Sequence, residues 1–118
     1  MTVIEARTCV EVAVDQLLLK EFKKRGEDLS ELRKMFRVSK KSAGTIEGII
    51  EKASISDKLT KGLKKAIDIS LDNIEHNWQK WLTAKDSRER AVHKGEIITR
   101  AEAANALEIA KHIIELTK

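Results

Sequence analysis

The sequence predicts an all-α fold, an antiparallel bundle of four to five helices forming one domain over residues 1–118. Composition is the first reason: proline and tyrosine are absent, only Phe22, Phe36, Trp78 and Trp81 are aromatic, and Ala, Leu, Glu and Lys abound. Strands draw on β-branched and aromatic residues between Gly/Pro turns, whereas this mixture favours helix. Periodicity is the second, because apolar residues recur at spacings of three and four. Punctuation is the third, with capping residues and glycines where helices should start and stop. A chain of 118 residues fits a single domain.

The first helix is expected over about Thr2 to Arg25, stopped by Gly26, a residue suited to the left-handed conformation that ends helices. Val3, Ala6, Val10, Ala13, Val14 and Leu17 share one face, which Ile4, Leu18 and Phe22 widen. Val12 and Leu19 form a second apolar stripe, so this helix is either central in its bundle or half of a subunit interface. Arg7 and Glu11 are spaced for an i,i+4 ion pair. A short helix from Leu29 to Arg37 should bury Leu32, Met35 and Phe36. A weaker helical stretch from Ser39 to Ala53 carries Ile46, Ile49 and Ile50, loosened by Gly44 and Gly48. Ser56 is then the expected N-cap of a long helix reaching Thr83. Leu59, Leu63, Ala66, Ile67, Leu71, Ile74, Trp78, Trp81 and Leu82 fill one broad arc of it, with the tryptophans as core or interface anchors and His76 on the polar side. Asp86 and Glu89 have capping-box spacing and should open a further short helix that ends near Gly95. Thr99 and Glu102 repeat that spacing before a final helix whose face is Ala103, Ala106, Leu107, Ala110, Ile113 and Ile114, with His112 opposite.

The single cysteine, Cys9, excludes an internal disulfide and a Cys-based metal site, as suits a reducing cytoplasm. The longest apolar run, Val12 to Leu19, is broken by Asp15 and Gln16, which argues against a membrane span, and Glu5 argues against a signal peptide. The expected location is cytoplasmic. Net charge is +4 and uneven: Lys20 to Lys41 holds nine basic residues against four acidic ones. Lys23, Lys24, Arg25, Lys40 and Lys41 are therefore candidates for RNA contact, the alternative being a solvated helix end and loop.

The segment Arg88-Glu89-Arg90-Ala91-Val92-His93-Lys94-Gly95 carries the sharpest chemistry. An arginine, a histidine five residues on, a glycine and then a capped Ala/Leu/Ile helix follow in order. Between Leu71 and Leu116 this arrangement resembles the HEPN domain, a small all-helical module with an Arg-x(4–6)-His signature. The resemblance implies a HEPN-like bundle, a homodimer, and in many members a metal-independent endoribonuclease of the toxin or antiviral-defence class. It also implies a nucleotidyltransferase-type antitoxin as a frequent partner. His93 would then be the general acid/base for attack of the ribose 2′-hydroxyl on the adjacent phosphate. Arg88 would stabilise the phosphorane oxygens. RNA supplies its own nucleophile, so no cofactor and no metal are implied.

Geometry adds two expectations. Residues five apart on a helix are rotated by roughly 140° and displaced by about 7.5 Å, so Arg88 and His93 should not grip one small ligand from a single ridge. They should instead flank an extended polyanion or converge across a twofold axis. Glu89, four residues before His93, shares its ridge and should fix the ring's orientation. Family members usually carry Asn or another short polar residue at that position. Glu89 would repel a phosphate, with Arg90 and Lys94 as compensating charges. Two other readings stand beside catalysis: a non-catalytic HEPN module for dimerisation or for nucleotide or protein binding, and an unrelated helical adaptor whose motif is a polar junction between helices.

Overall fold

The computed structural model describes residues 2–41, 44–73 and 77–118, the side chains of Val3 and Asn73 excepted. Ile74 and His76, and the part of the Ser39–Ala53 stretch at Ser42 and Ala43, lie outside them. The described residues are all-α, with no strand among them. Helix α1 is Val3–Arg25, α2 Leu29–Phe36, α3 Ile46–Lys52, α4 Ile55–Asp57, α5 Leu63–Ile67, α6 Asn77–His93 and α7 Arg100–Leu116. A π-helical turn, Lys58–Gly62, lies between α4 and α5, and a 3-10 turn covers Leu71–Asn73.

The chain groups into two compact units, Val14–Asn73 and Met1–Ala13 with Ile74–Lys118. Within Val14–Asn73, Val14, Leu18 and Phe22 of α1 are fully buried, as are Leu32, Ile49, Leu59, Leu63 and Leu71. Each such side chain stabilises the folded state by roughly 1.5–3 kcal/mol relative to exposure. Phe22 meets Phe36 with ring centroids 6.2 Å apart and planes tilted by 48°, a geometry that aromatic quadrupoles favour. Asp28 caps α2 by accepting from Glu31 N–H at 3.0 Å, and Thr45 caps α3 by accepting from Gly48 N–H at 3.1 Å. Asp57 and Lys58 are both buried and each has a partner. Asp57 accepts from the Arg37 guanidinium at 3.0 and 3.1 Å, and Lys58 Nζ donates to Asp15 at 2.7 Å. Pairing is what makes two adjacent buried charges tolerable.

In the other unit α6 packs on α7, and Ala6 and Val10 of α1 are buried with Trp81, Ala84, Ala106, Ile109, Ala110 and Ile113. The Arg7–Glu11 pair forms at 3.1 Å, and the Arg7 guanidinium also stacks over the Trp81 ring, 5.1 Å from its centroid. Trp81 is the buried anchor of the two tryptophans, and Trp78 is half-buried.

Two boundaries depart from expectation. The helix expected from Ser56 to Thr83 is broken. Ser54, not Ser56, caps α4 through Asp57 N–H at 3.1 Å, and Asp68 ends α5 in the left-handed region at φ +61°. Asp tolerates that region better than most residues, and the following Ile69-Ser70 are weak helix formers. The second departure is at Asp86, which opens no new helix. It lies inside α6, where its carboxylate accepts from Arg90 Nε at 3.0 Å, and Glu89 reaches forward to His93 rather than back to a cap. The residues between Asp86 and His93, Ser-Arg-Glu-Arg-Ala-Val, contain no breaker, so the helix continues through the motif.

Candidate functional site

Arg88, Glu89, Arg90 and His93 occupy the last turns of α6, and Lys94 and Gly95 follow its end. Gly95 takes φ +65°, where a side chain would be strained, and Glu96 N–H reaches back to the Arg90 carbonyl at 3.2 Å. The start of α7 is fixed by the expected capping box: Thr99 Oγ1 accepts from Glu102 N–H at 3.1 Å, and Glu102 Oε1 accepts from Thr99 N–H at 3.3 Å. The other carboxylate oxygen of Glu102 serves α6. It lies 3.0 Å from the fully buried Ser87 hydroxyl, which also lies 3.0 Å from the Thr83 carbonyl, and it accepts from Arg90 Nη2.

Arg90 is thereby committed to structure. It contacts Asp86 at 3.0 Å, Glu96 at 3.4 Å and Glu102. Such a clamp leaves it little capacity to offset the charge of Glu89, and Lys94 is the exposed cation that remains beside His93. The sequence shows Glu102 as a capping residue. Its bond to Ser87 and its pairing with Arg90 join residues twelve to fifteen apart and have no signature in local spacing.

Glu89 stands between the two motif residues. One carboxylate oxygen is 3.2 Å from His93 Nε2, the other 3.8 Å from Arg88 Nη1. One carboxylate thus lies within hydrogen-bond distance of His93 and only at the loose range of an ion pair from Arg88. His93 is about two-thirds exposed at 64%, whereas Arg88 is largely covered at 30% and its Nε is buried with no hydrogen-bond partner among the described residues. Among the described residues its terminal nitrogens meet only the loose contact with Glu89. A partly covered guanidinium fork and an accessible imidazole on either side of one carboxylate can bind an oxyanion and move a proton beside it.

The basic candidates divide. Lys23 pairs with Glu47. Arg25 donates to the carbonyls of Lys65 at 2.5 Å and Ala66 at 2.6 Å, satisfying acceptors that the end of α5 leaves open. Lys24, Lys40 and Lys41 are exposed and carry no ion pair among the described residues. Cys9 is a free thiol, half-buried in α1. Among the described residues no three His, Cys, Asp or Glu side chains are grouped to hold a metal ion, and no helix is long and apolar enough to cross a membrane. No family model, curated protein or solved structure matches the chain.

Proposed function

We propose that the chain is a HEPN-like helical protein acting as a metal-independent endoribonuclease, with His93 as general acid/base and Arg88 stabilising the phosphorane. What supports the reading is the span of Glu89, whose carboxylate lies 3.2 Å from His93 Nε2 and 3.8 Å from Arg88 Nη1. A phosphodiester oxygen pair has a comparable reach and would meet the same two groups once Glu89 swings aside. His93 takes the proton of the ribose 2′-hydroxyl, and the 2′-oxygen attacks phosphorus. The imidazolium so formed returns the proton to the 5′-oxygen of the next nucleotide as its bond to phosphorus breaks, and a 2′,3′-cyclic phosphate and a 5′-hydroxyl result. Arg88 bonds the non-bridging oxygens as charge accumulates on them. The working unit is a homodimer in the cytoplasm, with RNA as substrate and a nucleotidyltransferase-type antitoxin as the partner that restrains it.

The test is cleavage of single-stranded RNA in excess chelator. The expected products carry 2′,3′-cyclic phosphate ends, and activity lost to chelator or 5′-phosphate products would refute the mechanism. A second reading has its own support. Glu89 fills the space that a phosphate must enter, and Arg90 is locked into three carboxylates, as would suit a non-catalytic HEPN module used for dimerisation or for nucleotide or protein binding. Dimerisation without any RNA cleavage would select it.

A further inference from the structure

Within the unit of Met1–Ala13 and Ile74–Lys118, two buried donors outside the motif have no acceptor among the described residues: Arg7 Nη1 and the indole Nε1 of Trp81. Trp81 is 2% exposed and the Arg7 side chain 13%. A buried donor left unmet is costly, and more so on a charged group. Both residues line one small cavity of about 10 Å³, roughly the room that a single water-sized group needs. Its other walls are Ala6 and Val10 of α1, Ala84 of α6, and Ala106, Ile109 and Ala110 of α7. The guanidinium lies over the Trp81 ring, 5.1 Å from its centroid, which keeps the two donors close together beside that space.

The chemistry of the walls decides what the cavity can hold. Guanidinium and indole N–H groups donate and cannot accept, and the alanine, valine and isoleucine side chains do neither. A water there would accept both bonds and leave its own hydrogens against hydrocarbon. A monatomic anion needs donors alone. Charge argues the same way. The one carboxylate on Arg7, that of Glu11, accepts from Nε at 3.1 Å and is 43% exposed, so the buried Nη1 edge has no counter-charge of its own. Size excludes phosphate, sulfate and carboxylates, each several atoms across, whereas a halide is a sphere only slightly larger than water.

We propose that this cavity binds a halide ion, chloride under physiological conditions, which accepts from Arg7 Nη1 and Trp81 Nε1 and ties the start of α1 to α6. The inference is independent of the ribonuclease reading, since neither donor belongs to the Arg88–His93 group.

The experiment is thermal unfolding of the full chain as sodium chloride or bromide replaces sodium gluconate at constant ionic strength, so that screening of surface charge is common to every sample. Gluconate is too large for the cavity. Tm should rise saturably with either halide, by about 5 °C at about ten times the half-saturating concentration. Trp81→Phe keeps an aromatic ring beneath Arg7 and removes the donor, and its Tm should no longer respond to halide. Crystals of the wild-type chain soaked in bromide supply a readout that does not depend on the variant's folding: an anomalous peak within hydrogen-bond distance of both Arg7 Nη1 and Trp81 Nε1 is expected. A water at that position instead of bromide overturns the proposal, as does a Tm indifferent to halide. Half-saturation only in the molar range would mean an adventitious ion only, and a halide response retained by Trp81→Phe would place the ion elsewhere; either result also overturns it.

Discussion

Glu89 lies between Arg88 and His93 with one carboxylate oxygen toward each, so a phosphate that is to bridge the two must displace it. Glu89→Gln keeps the shape and removes the charge. Under the ribonuclease reading it should tighten RNA binding by about two- to fivefold, the scale of an exposed ion-pair interaction, measured by fluorescence anisotropy. Weaker cleavage together with unchanged affinity would assign Glu89 to orienting the imidazole instead. His93→Ala should lower single-turnover cleavage by about 10²- to 10⁴-fold, the usual contribution of a general acid/base, while His112→Ala on the polar face of α7 leaves it near wild type. Equal losses at both histidines would point to instability rather than chemistry. At this scale the sequence was a good guide to local pairs: Glu89 with His93 and Arg7 with Glu11 on one ridge, and Thr99 with Glu102 across a helix cap. It was a poor guide to what long side chains do at their ends. Arg90 turns away into three carboxylates, and Arg25 into two backbone carbonyls.

The helices themselves were legible wherever a stop was written in the residue type, as at Gly26 and Gly95, both with positive φ. Where the stop fell on Asp68, an apolar spacing that continued through Leu71 to Trp81 concealed it. The buried line of α1, Ala6, Val10, Val14, Leu18 and Phe22, advances by four residues per step. Each step rotates it by about 40°, so a helical wheel spreads it over a broad arc, of which the second stripe read from the sequence, Val12 and Leu19, is no part. The π-helical turn also has no local signature, and Gly62 within it tests the packing there. A Cβ at Gly62 would sit 3.0 Å from Leu18 Cδ1 and 3.3 Å from Phe36 Cζ. Gly62→Ala should gain about 1 kcal/mol of helix propensity and lose about 1–3 kcal/mol to overpacking, a net destabilisation measurable by urea unfolding. A more stable variant would mean that Leu18 and Phe36 give way freely. Between α6 and α7, the Lys80 hydrogen bond holds the Glu108 carboxyl below its ordinary value. A lowered folded-state pKa contributes stability above the ordinary carboxylate range and loses it as pH falls through the lowered value. Glu108→Gln should therefore melt below wild type at neutral pH and together with it in acid, and a difference unchanged by pH would deny the ion pair any role.

Net charge separates along the chain. Residues 14–73 hold fourteen Lys and Arg against ten Asp and Glu, and residues 1–13 with 74–118 hold nine of each, so the surplus of +4 belongs to the first group. Lys24, Lys40 and Lys41 are the members of the RNA-contact set whose charge is not already spent on a partner among the described residues. Replacing all three with Gln should reduce the salt slope of single-stranded RNA binding by about 2, near 0.7 for each phosphate no longer neutralised, and an unchanged slope would make this a solvated surface. The dimer is tested separately. Val12, on the second apolar stripe of α1, is 50% exposed, whereas Leu19 of the same stripe is already half-buried. Val12→Glu is therefore the cleaner probe, because a charge there meets solvent in a monomer and an apolar partner surface in a twofold pair. If the stripe is the interface, the variant should remain folded by circular dichroism and shift light scattering from dimer toward monomer. It should lose RNA cleavage in the same proportion, since each site would depend on both copies. A variant that stays dimeric moves the interface elsewhere on the chain. A wild-type protein that scatters as a monomer at every dilution, with constant specific activity, removes the twofold site altogether and leaves Arg88, Glu89 and His93 of one chain to account for the chemistry.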